Sequence, residues 1–107
     1  MESGELQAIL QELKDKLSDL YGDRLADLIL YGSQARGDAD EGSDIDVLVV
    51  LKGEVDPCEE LDRAGDAIYD ISYQNDTLVN CIFVSEEKYD RGTGPLIRNV
   101  HREGIRL

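Results

Sequence analysis

The chain has 107 residues, 41% of them hydrophobic and 33% charged, as expected for a single folded domain over residues 1–107. Its 24 acidic and 11 basic side chains give a formal net charge of −13, which would repel nucleic acid and argues against direct DNA or RNA binding. No segment approaches the roughly 20 apolar residues of a membrane span and no signal peptide opens the chain, so we expect a cytoplasmic protein without membrane contact.

The hydrophobic pattern predicts three helices and three strands. Leucine and isoleucine residues at helical spacing, followed by Gly22, predict an amphipathic helix over residues 5–21. The unbroken aliphatic run of residues 45–51, closed by Gly53, predicts a strand buried on both faces. The other predicted elements are a strand over 24–31, a helix after Asp56 with Leu61, Ala64, Ile68 and Ile71 on its inner face, a strand over 77–84, a short helical turn from Ser85 and a helix over 95–103 ending at Gly104. The order αβ(turn)βαβα indicates a small α/β or α+β domain.

The cysteines and tyrosines give weaker signals. Cys58 and Cys81 are too far apart for a CxxC motif, and we expect both to be reduced packing residues. The five tyrosines do not form a stacking pattern on a basic surface, so we expect them to pack in the core or at its rim.

Three familiar motifs can be tested on the segment between the first two strands. A phosphate-binding loop requires a lysine after the second glycine, where this chain has Asp38. A calcium loop starting at Asp38 would require a glutamate at its twelfth position, which is Val49. The tripeptide from Arg36 to Asp38 spells an adhesion motif, which is best explained as coincidence in a cytoplasmic protein.

A fourth interpretation of this segment is physically consistent. Gly32 lacks a side chain, so the backbone can approach a ligand, and Ser33 would open a helical turn whose N–H groups attract phosphate. Asp44 and Asp46 are two residues apart on an extended chain, so their carboxylates leave the same face. Such a pair needs a cation, and Mg²⁺ held between carboxylates and substrate phosphates would supply it. The alternative is a solvated turn capped by aspartates.

The segment GSQARGDADEGSDIDVLVV, residues 32–50, resembles the GSxARG…SDxD signature of the nucleotidyltransferase superfamily typified by DNA polymerase beta. It is especially similar to the minimal nucleotidyltransferase members. The resemblance implies a nucleotidyltransferase fold, a small mixed β-sheet flanked by helices. It also implies ATP or another nucleoside triphosphate bound at Gly32 and Ser33, and Mg²⁺ or Mn²⁺ at the catalytic residues Asp44 and Asp46. Arg36 could contact the phosphate, or pair with a neighbouring acid.

The implied activity is transfer of a nucleotidyl group, here AMP, from the triphosphate to an acceptor hydroxyl, with release of pyrophosphate. Many minimal members resemble antitoxins that bind HEPN-type ribonuclease toxins and in some cases add AMP to a tyrosine of the toxin. Larger relatives carry an extra acceptor-binding domain, for which 107 residues leave no room. The acceptor is therefore expected on a partner protein or a small molecule.

One residue departs from the family pattern. Active members carry a third acid on the later strand, and the position that aligns with it here is Asn80, whose amide cannot take a proton at neutral pH. Asp70, expected at a helix end, and Asp76, expected in a loop, could substitute only if the predicted strand register is wrong.

Two functions therefore remain open. The first is a metal-dependent nucleotidyltransferase. The second is an antitoxin-like binding module that keeps a degenerate pocket and neutralises a basic HEPN-type partner by contact, which the net charge of −13 and Asn80 favour. The acidity also suits a salt-rich host or an ordinary solvated surface. The sequence is compatible with an oligomer and does not define the oligomeric state.

Overall fold

The structure is a computed structural model that describes residues 3–39 and 43–107. Residues 40–42 of the acidic segment lie outside the described ranges. The elements in chain order are α1 (Ser3–Tyr21), a 3₁₀ turn (Gly22–Arg24), β1 (Leu25–Tyr31), α2 (Ser33–Arg36), β2 (Ile45–Leu51), α3 (Pro57–Gln74), β3 (Val79–Ser85), α4 (Glu86–Arg91), α5 (Pro95–Glu103) and β4 (Ile105–Arg106). The predicted mixed α/β fold is confirmed.

The four strands form one mixed sheet in the order β3-β2-β1-β4. β1 pairs antiparallel with both β2 and β4, whereas β2 and β3 are parallel and are connected through α3. A parallel pair requires such a crossover, because the chain must return to the same end of the sheet before the next strand begins. As a result, the start of β2, the start of β3 and the end of β1 meet at one end of the sheet.

The central strand β2 is buried on both faces, as its sequence predicts, because helices cover the sheet from two sides. Val47, Val49 and Leu51 join the core formed with α1 and α3. Leu48 and Val50 face the other way and pack with Val84, Tyr89, Ile97 and Val100 of β3, α4 and α5. In the described ranges, no helix is both long and apolar enough to cross a membrane.

The predicted starts of α3 after Asp56 and of α4 at Ser85 are confirmed, and each start carries a side-chain cap. The Asp56 carboxylate accepts hydrogen bonds from the N–H groups of Cys58 and Glu59, and Pro57 occupies the first turn. Ser85 caps α4 by accepting from the N–H of Lys88. These side chains satisfy backbone donors that have no partner inside the helix, and so they fix where each helix begins.

Several predicted positions are wrong. Leu61 is 52% exposed, and Glu60 takes the inward place beside it on α3. Cys58 is exposed rather than packed. Cys81 is partly buried and packs against the core formed with α1 and α3. Neither cysteine forms a disulfide. Tyr69 and Tyr73 lie on the surface. The 3₁₀ turn and the two-residue strand β4 were not predicted.

Glu60 is an acidic side chain with only 2% of its surface exposed. Tyr21 Oη donates to its Oε1 at 3.1 Å, Arg24 Nη1 donates to its Oε2 at 2.9 Å, and Arg63 also donates to Oε1. Burial by itself would raise the pKa of Glu60, but the hydrogen bonds from Arg24 and Tyr21 and the two guanidinium charges outweigh it and lower that pKa. The carboxylate therefore stays charged and ties α3 to the end of α1 and to the 3₁₀ turn.

Candidate functional site

The acidic residues singled out from the sequence lie where the starts of β2 and β3 meet the end of β1. Asp46, the second residue of β2, pairs with Tyr31 of β1 on one side and with Asn80 of β3 on the other. Asp44 lies just before β2. Because side chains alternate along an extended chain, Asp44 and Asp46 leave the same face of the sheet.

Asn80 links the two carboxylates. Its Nδ2 donates to Asp44 Oδ2 at 3.1 Å and stands 3.4 Å from Asp46 Oδ1. The parallel register of β2 and β3 thus brings all three residues together. Asp70 does not join them, because α3 continues to Gln74 instead of ending near Asp70, which is exposed on the helix.

Gly32 holds the backbone against Asp46. Its φ of 76° favours glycine, and a Cβ at this position would lie 2.6 Å from Asp46 Oδ2. A side chain would therefore displace the carboxylate as well as strain the backbone. The sequence indicates the need for a glycine at this turn, but not its contact with an acid two elements away.

Ser33 begins the single-turn helix α2. The first helical hydrogen bond runs from the N–H of Arg36 to the carbonyl of Gly32 at 3.1 Å, so the N–H groups of the three preceding residues have no acceptor within the helix. Gly37 ends the turn in the left-handed conformation, with φ of 79°. A glycine on each side lets this short turn fit between β1 and the acidic segment.

Arg36 is held by two acids. Its Nε donates to Asp38 at 3.2 Å and its Nη1 donates to Glu103 of α5 at 3.2 Å. Asp38 and, to a smaller degree, Glu103 raise the pKa of the guanidinium, which is charged at any working pH. Of the two roles open to Arg36 in the sequence, the structure shows the pairing with acids, which connects α2 to α5.

Tyr31 is a half-buried neighbour of Asp46 whose place in the site the sequence reasoning missed. Burial and, next, the charge of Asp46 raise its pKa to about 12, with a further contribution from Cys81. The phenol therefore remains protonated around neutral pH. Its position directly before Gly32 is the sequence signal that could have identified it, because a residue next to the predicted phosphate-binding turn is expected at the rim of the site.

The electrostatics of the site are one-sided. Among the residues that the structure describes, no lysine, arginine or histidine pairs with Asp44 or Asp46, and their shared donor is the neutral amide of Asn80. These ranges also contain no group of three or more His, Cys, Asp or Glu side chains arranged for a metal. Two carboxylates with one amide nonetheless match the oxygen donors that Mg²⁺ takes from protein before it adds substrate phosphates and water.

Comparison with known protein families gives a match over residues 10–107 to the model described as "Nucleotidyltransferase domain". Two curated proteins of Methanocaldococcus jannaschii, each named "Putative protein adenylyltransferase", are similar in sequence. One is 35% identical over 96 residues, 89% of this chain and 90% of the relative. The other is 48% identical over 48 residues, 45% of this chain, so that match spans about half of the relative, 48%.

Solved structures share the fold. A crystal structure of a toxin–antitoxin pair with AMP-PNP superposes with a TM-score of 0.65 at 19% identity, covering 90% of this chain and 69% of that chain. A structure of a tri-AMPylated HEPN toxin of Shewanella oneidensis with its MNT antitoxin gives a TM-score of 0.56 at 17% identity, covering 99% of this chain and 71% of that chain. At these identities the likeness concerns the fold alone.

Proposed function

Because this chain belongs to the nucleotidyltransferase domain family, we propose that it transfers AMP from ATP to a hydroxyl group on a partner protein. The observation that carries the proposal is the convergence of Asp44 and Asp46, two carboxylates without a basic partner among the described residues, with Asp46 next to the backbone of Gly32. An arrangement that costs stability in the free protein is useful if the missing positive charge arrives with the substrate.

Each residue has a defined role in this proposal. Asp44 and Asp46 hold a divalent cation, Mg²⁺ or Mn²⁺, and Asn80 can turn its amide oxygen toward it. When bound, such an ion neutralises charge that develops on the phosphate oxygens. Gly32 and Ser33 place backbone N–H groups against the β and γ phosphates. Arg36 contacts phosphate only if it leaves Asp38 or Glu103, so we assign it a smaller share of binding.

The proposed reaction is a substitution at the α phosphorus of ATP. The acceptor oxygen forms a bond to that phosphorus, the bond from phosphorus to the bridging oxygen breaks, and pyrophosphate leaves with the electron pair. The proton of the hydroxyl goes to solvent water, because the amide of Asn80 does not accept a proton at neutral pH. The site therefore relies on positioning and charge neutralisation rather than on a dedicated base.

The choice of acceptor draws on the relatives. The curated relatives are named as protein adenylyltransferases, and one structural neighbour is a complex in which a HEPN toxin is AMPylated. We therefore propose a HEPN-type protein as the partner and its hydroxyl as the acceptor. The Asn80 amide supports a second candidate function, in which the protein neutralises the same partner by contact without transfer.

The test is incubation with ATP labelled at the α phosphate, Mg²⁺ and the candidate HEPN partner. We expect label on the partner and a loss of about a hundredfold or more in the Asp44→Asn variant, because removing one charge-stabilising group at a reacting centre has effects of about that size. Asp19→Asn, the same change at an exposed position of α1, should match the wild type. Undiminished inhibition of the partner by Asp44→Asn, with no label transferred by either protein, would establish the contact mechanism instead.

A further inference from the structure

A groove adjoins Asp44 on the side of α3. It has a volume of about 430 Å³, and besides Asp44 its lining includes Tyr69 and Tyr73 of α3 and Asp76 and Leu78 of the loop before β3. We call it the tyrosine groove. None of the roles assigned above to nucleotide, metal or structural ion pairs uses these four lining residues.

Hydrogen bonds of the Ser72 side chain and of the backbone hold the walls of the tyrosine groove. Ser72 Oγ donates to the carbonyl of Ile68 at 2.9 Å and accepts from the N–H of Val79 at 3.1 Å, which ties the end of α3 to the start of β3. The N–H of Ile45 donates to the carbonyl of Leu78 at 2.9 Å, which holds the start of β2 against the same loop. The end of α3, the loop before β3 and the start of β2, which carry the lining residues, are therefore held together by hydrogen bonds.

The groove exposes large apolar side chains. Tyr69 is 66% exposed, Tyr73 77% and Leu78 54%. The two rings stack with centroids 6.2 Å apart and an angle of 17° between their planes. Exposed side chains of this size gathered next to a reactive site are typical of a contact surface, and tyrosine is among the residues that contribute most to binding energy.

The charges in the tyrosine groove are all negative among its described residues. Asp44 and Asp76 both line it, and no basic residue does so among the residues that the structure describes. Such a surface repels phosphate, but it attracts an arginine, whose guanidinium can stack on a tyrosine ring while it pairs with a carboxylate. Since Asp44 belongs also to the candidate site, a segment bound in the groove lies next to that site.

We propose that the tyrosine groove docks an arginine-containing segment of the partner protein and thereby presents the hydroxyl that accepts AMP. The inference rests on the proposed function for the identity of the reaction, whereas the docking itself does not require transfer to occur. Stacked aromatic rings supply the contact area, and the two carboxylates select basic segments over acidic ones.

The test uses two short fluorescent peptides, in which a central tyrosine is flanked either by arginines or by glutamates. We expect the arginine peptide to bind the wild-type protein more tightly, and the variant Tyr69→Ala with Tyr73→Ala to bind it about tenfold more weakly. Leu61→Ala, at an exposed leucine of the same helix outside the groove, should bind like the wild type. Asp76→Asn should weaken binding at low salt more than Asp62→Asn, which makes the same change elsewhere on α3.

ATP binding in the presence of Mg²⁺ is measured on the same variants, so that the two proposals can be separated. Peptide binding that depends on the two tyrosines supports the docking surface even if the protein binds no ATP, an outcome that would remove the proposed function alone. Equal peptide binding by wild type and the double variant overturns the docking surface. So does a loss of ATP affinity in the double variant without a loss of peptide affinity, because the groove would then hold the nucleobase.

Discussion

Acidic side chains at the two ends of the sheet differ in the partners that surround them. At one end Glu60 is buried but receives hydrogen bonds from Tyr21, Arg24 and Arg63. At the other end Asp44 and Asp46 lie together, and in the ranges that the structure covers their common donor is the uncharged amide of Asn80. The same kind of group is neutralised by protein partners in one place, and in the other we propose that a ligand supplies the countercharge.

On this difference we base the proposal that Glu60 has a structural role and that Asp44 and Asp46 bind a ligand. A charge taken out of water destabilises the fold unless charged or hydrogen-bonding partners replace the water, and the Glu60 cluster supplies both. Asp44 and Asp46 repel each other, and Asn80 offsets only part of that repulsion. A search for buried acids would therefore point to Glu60 as the candidate ligand-binding residue. A search for acids without a positive partner among the described residues points instead to Asp44 and Asp46.

The largest effect on stability is expected for Glu60→Ala. This change leaves Arg24 and Tyr21 without their buried partner, and breaking a buried pair in this way costs about 3 kcal/mol. The measurement is the free energy of unfolding in urea at pH 7. Glu59→Ala removes an exposed partner of Arg63, 3.3 Å away, and should cost no more than about 0.5 kcal/mol.

Equal losses in the free energy of unfolding for Glu60→Ala and Glu59→Ala would contradict the structural role of Glu60. A loss of stability in Asp44→Asn as large as that in Glu60→Ala would contradict the difference between the two sites. Asp44→Asn removes repulsion and no ion pair in the described ranges, so its free energy of unfolding in metal-free buffer should equal or exceed that of the wild type.

A smaller effect, with a sign that depends on metal, is expected for Asn80→Asp. A third carboxylate would replace the amide that now donates to the other two, so the free energy of unfolding should fall by about 1–2 kcal/mol in metal-free buffer. Excess Mg²⁺ should restore this loss, because ligands that bind only the folded state stabilise it. The metal should raise the melting temperature of the variant more than that of the wild type.

Asn99→Asp, the same change at an exposed position of α5, serves as the control for an added negative charge. If both variants lose equal stability and neither responds to Mg²⁺, the three residues at the start of β2 and β3 do not form a cation site.

The features that could be predicted from the sequence are those that local signals determine. The spacing of leucines predicts α1, and the Asp56–Pro57 pair predicts the start of α3. The aliphatic run of residues 45–51 predicts a strand that is buried on both faces. Asp44 and Asp46 share a face because of their spacing alone. Each of these features is set within a few residues of the chain, where periodicity and capping preferences act.

The features that could not be predicted from the sequence depend on contacts between residues far apart in the chain. Glu60 and Leu61 are neighbours at the edge of the inner face of α3, and the position of Arg24 and Tyr21 decides that the acid is buried and the leucine exposed. The pairing of β4 with β1 is likewise fixed by tertiary packing, since a two-residue strand has no pattern of its own. Asn80 could be placed beside the aspartates only as a consequence of an assumed strand register.

The smallest effects are expected at alkaline pH, where each end of the sheet has a tyrosine that reports on its acid. Burial, followed by the hydrogen bond to Glu60, raises the pKa of Tyr21 to about 12, and burial together with Asp46 raises the pKa of Tyr31 to about 12. Because the fold favours the protonated phenols, their contribution to stability is complete below pH 10 and is lost as the pH rises toward 12. Between pH 9 and 11 the free energy of unfolding should fall, on the order of 1 kcal/mol for each tyrosine.

Phenylalanine cannot ionise, so Tyr21→Phe and Tyr31→Phe should each lose less stability over this range than the wild type, and Tyr69→Phe, at an exposed tyrosine, should behave like the wild type. The two ends can then be compared through their acids. Glu60→Gln should weaken the pH dependence that Tyr21 contributes, and Asp46→Asn that of Tyr31, because each removes a negative charge that disfavours the phenolate. If Asp46→Asn leaves the alkaline loss unchanged, the charge of Asp46 is already neutralised in the free protein, and the contrast between the two ends of the sheet is wrong.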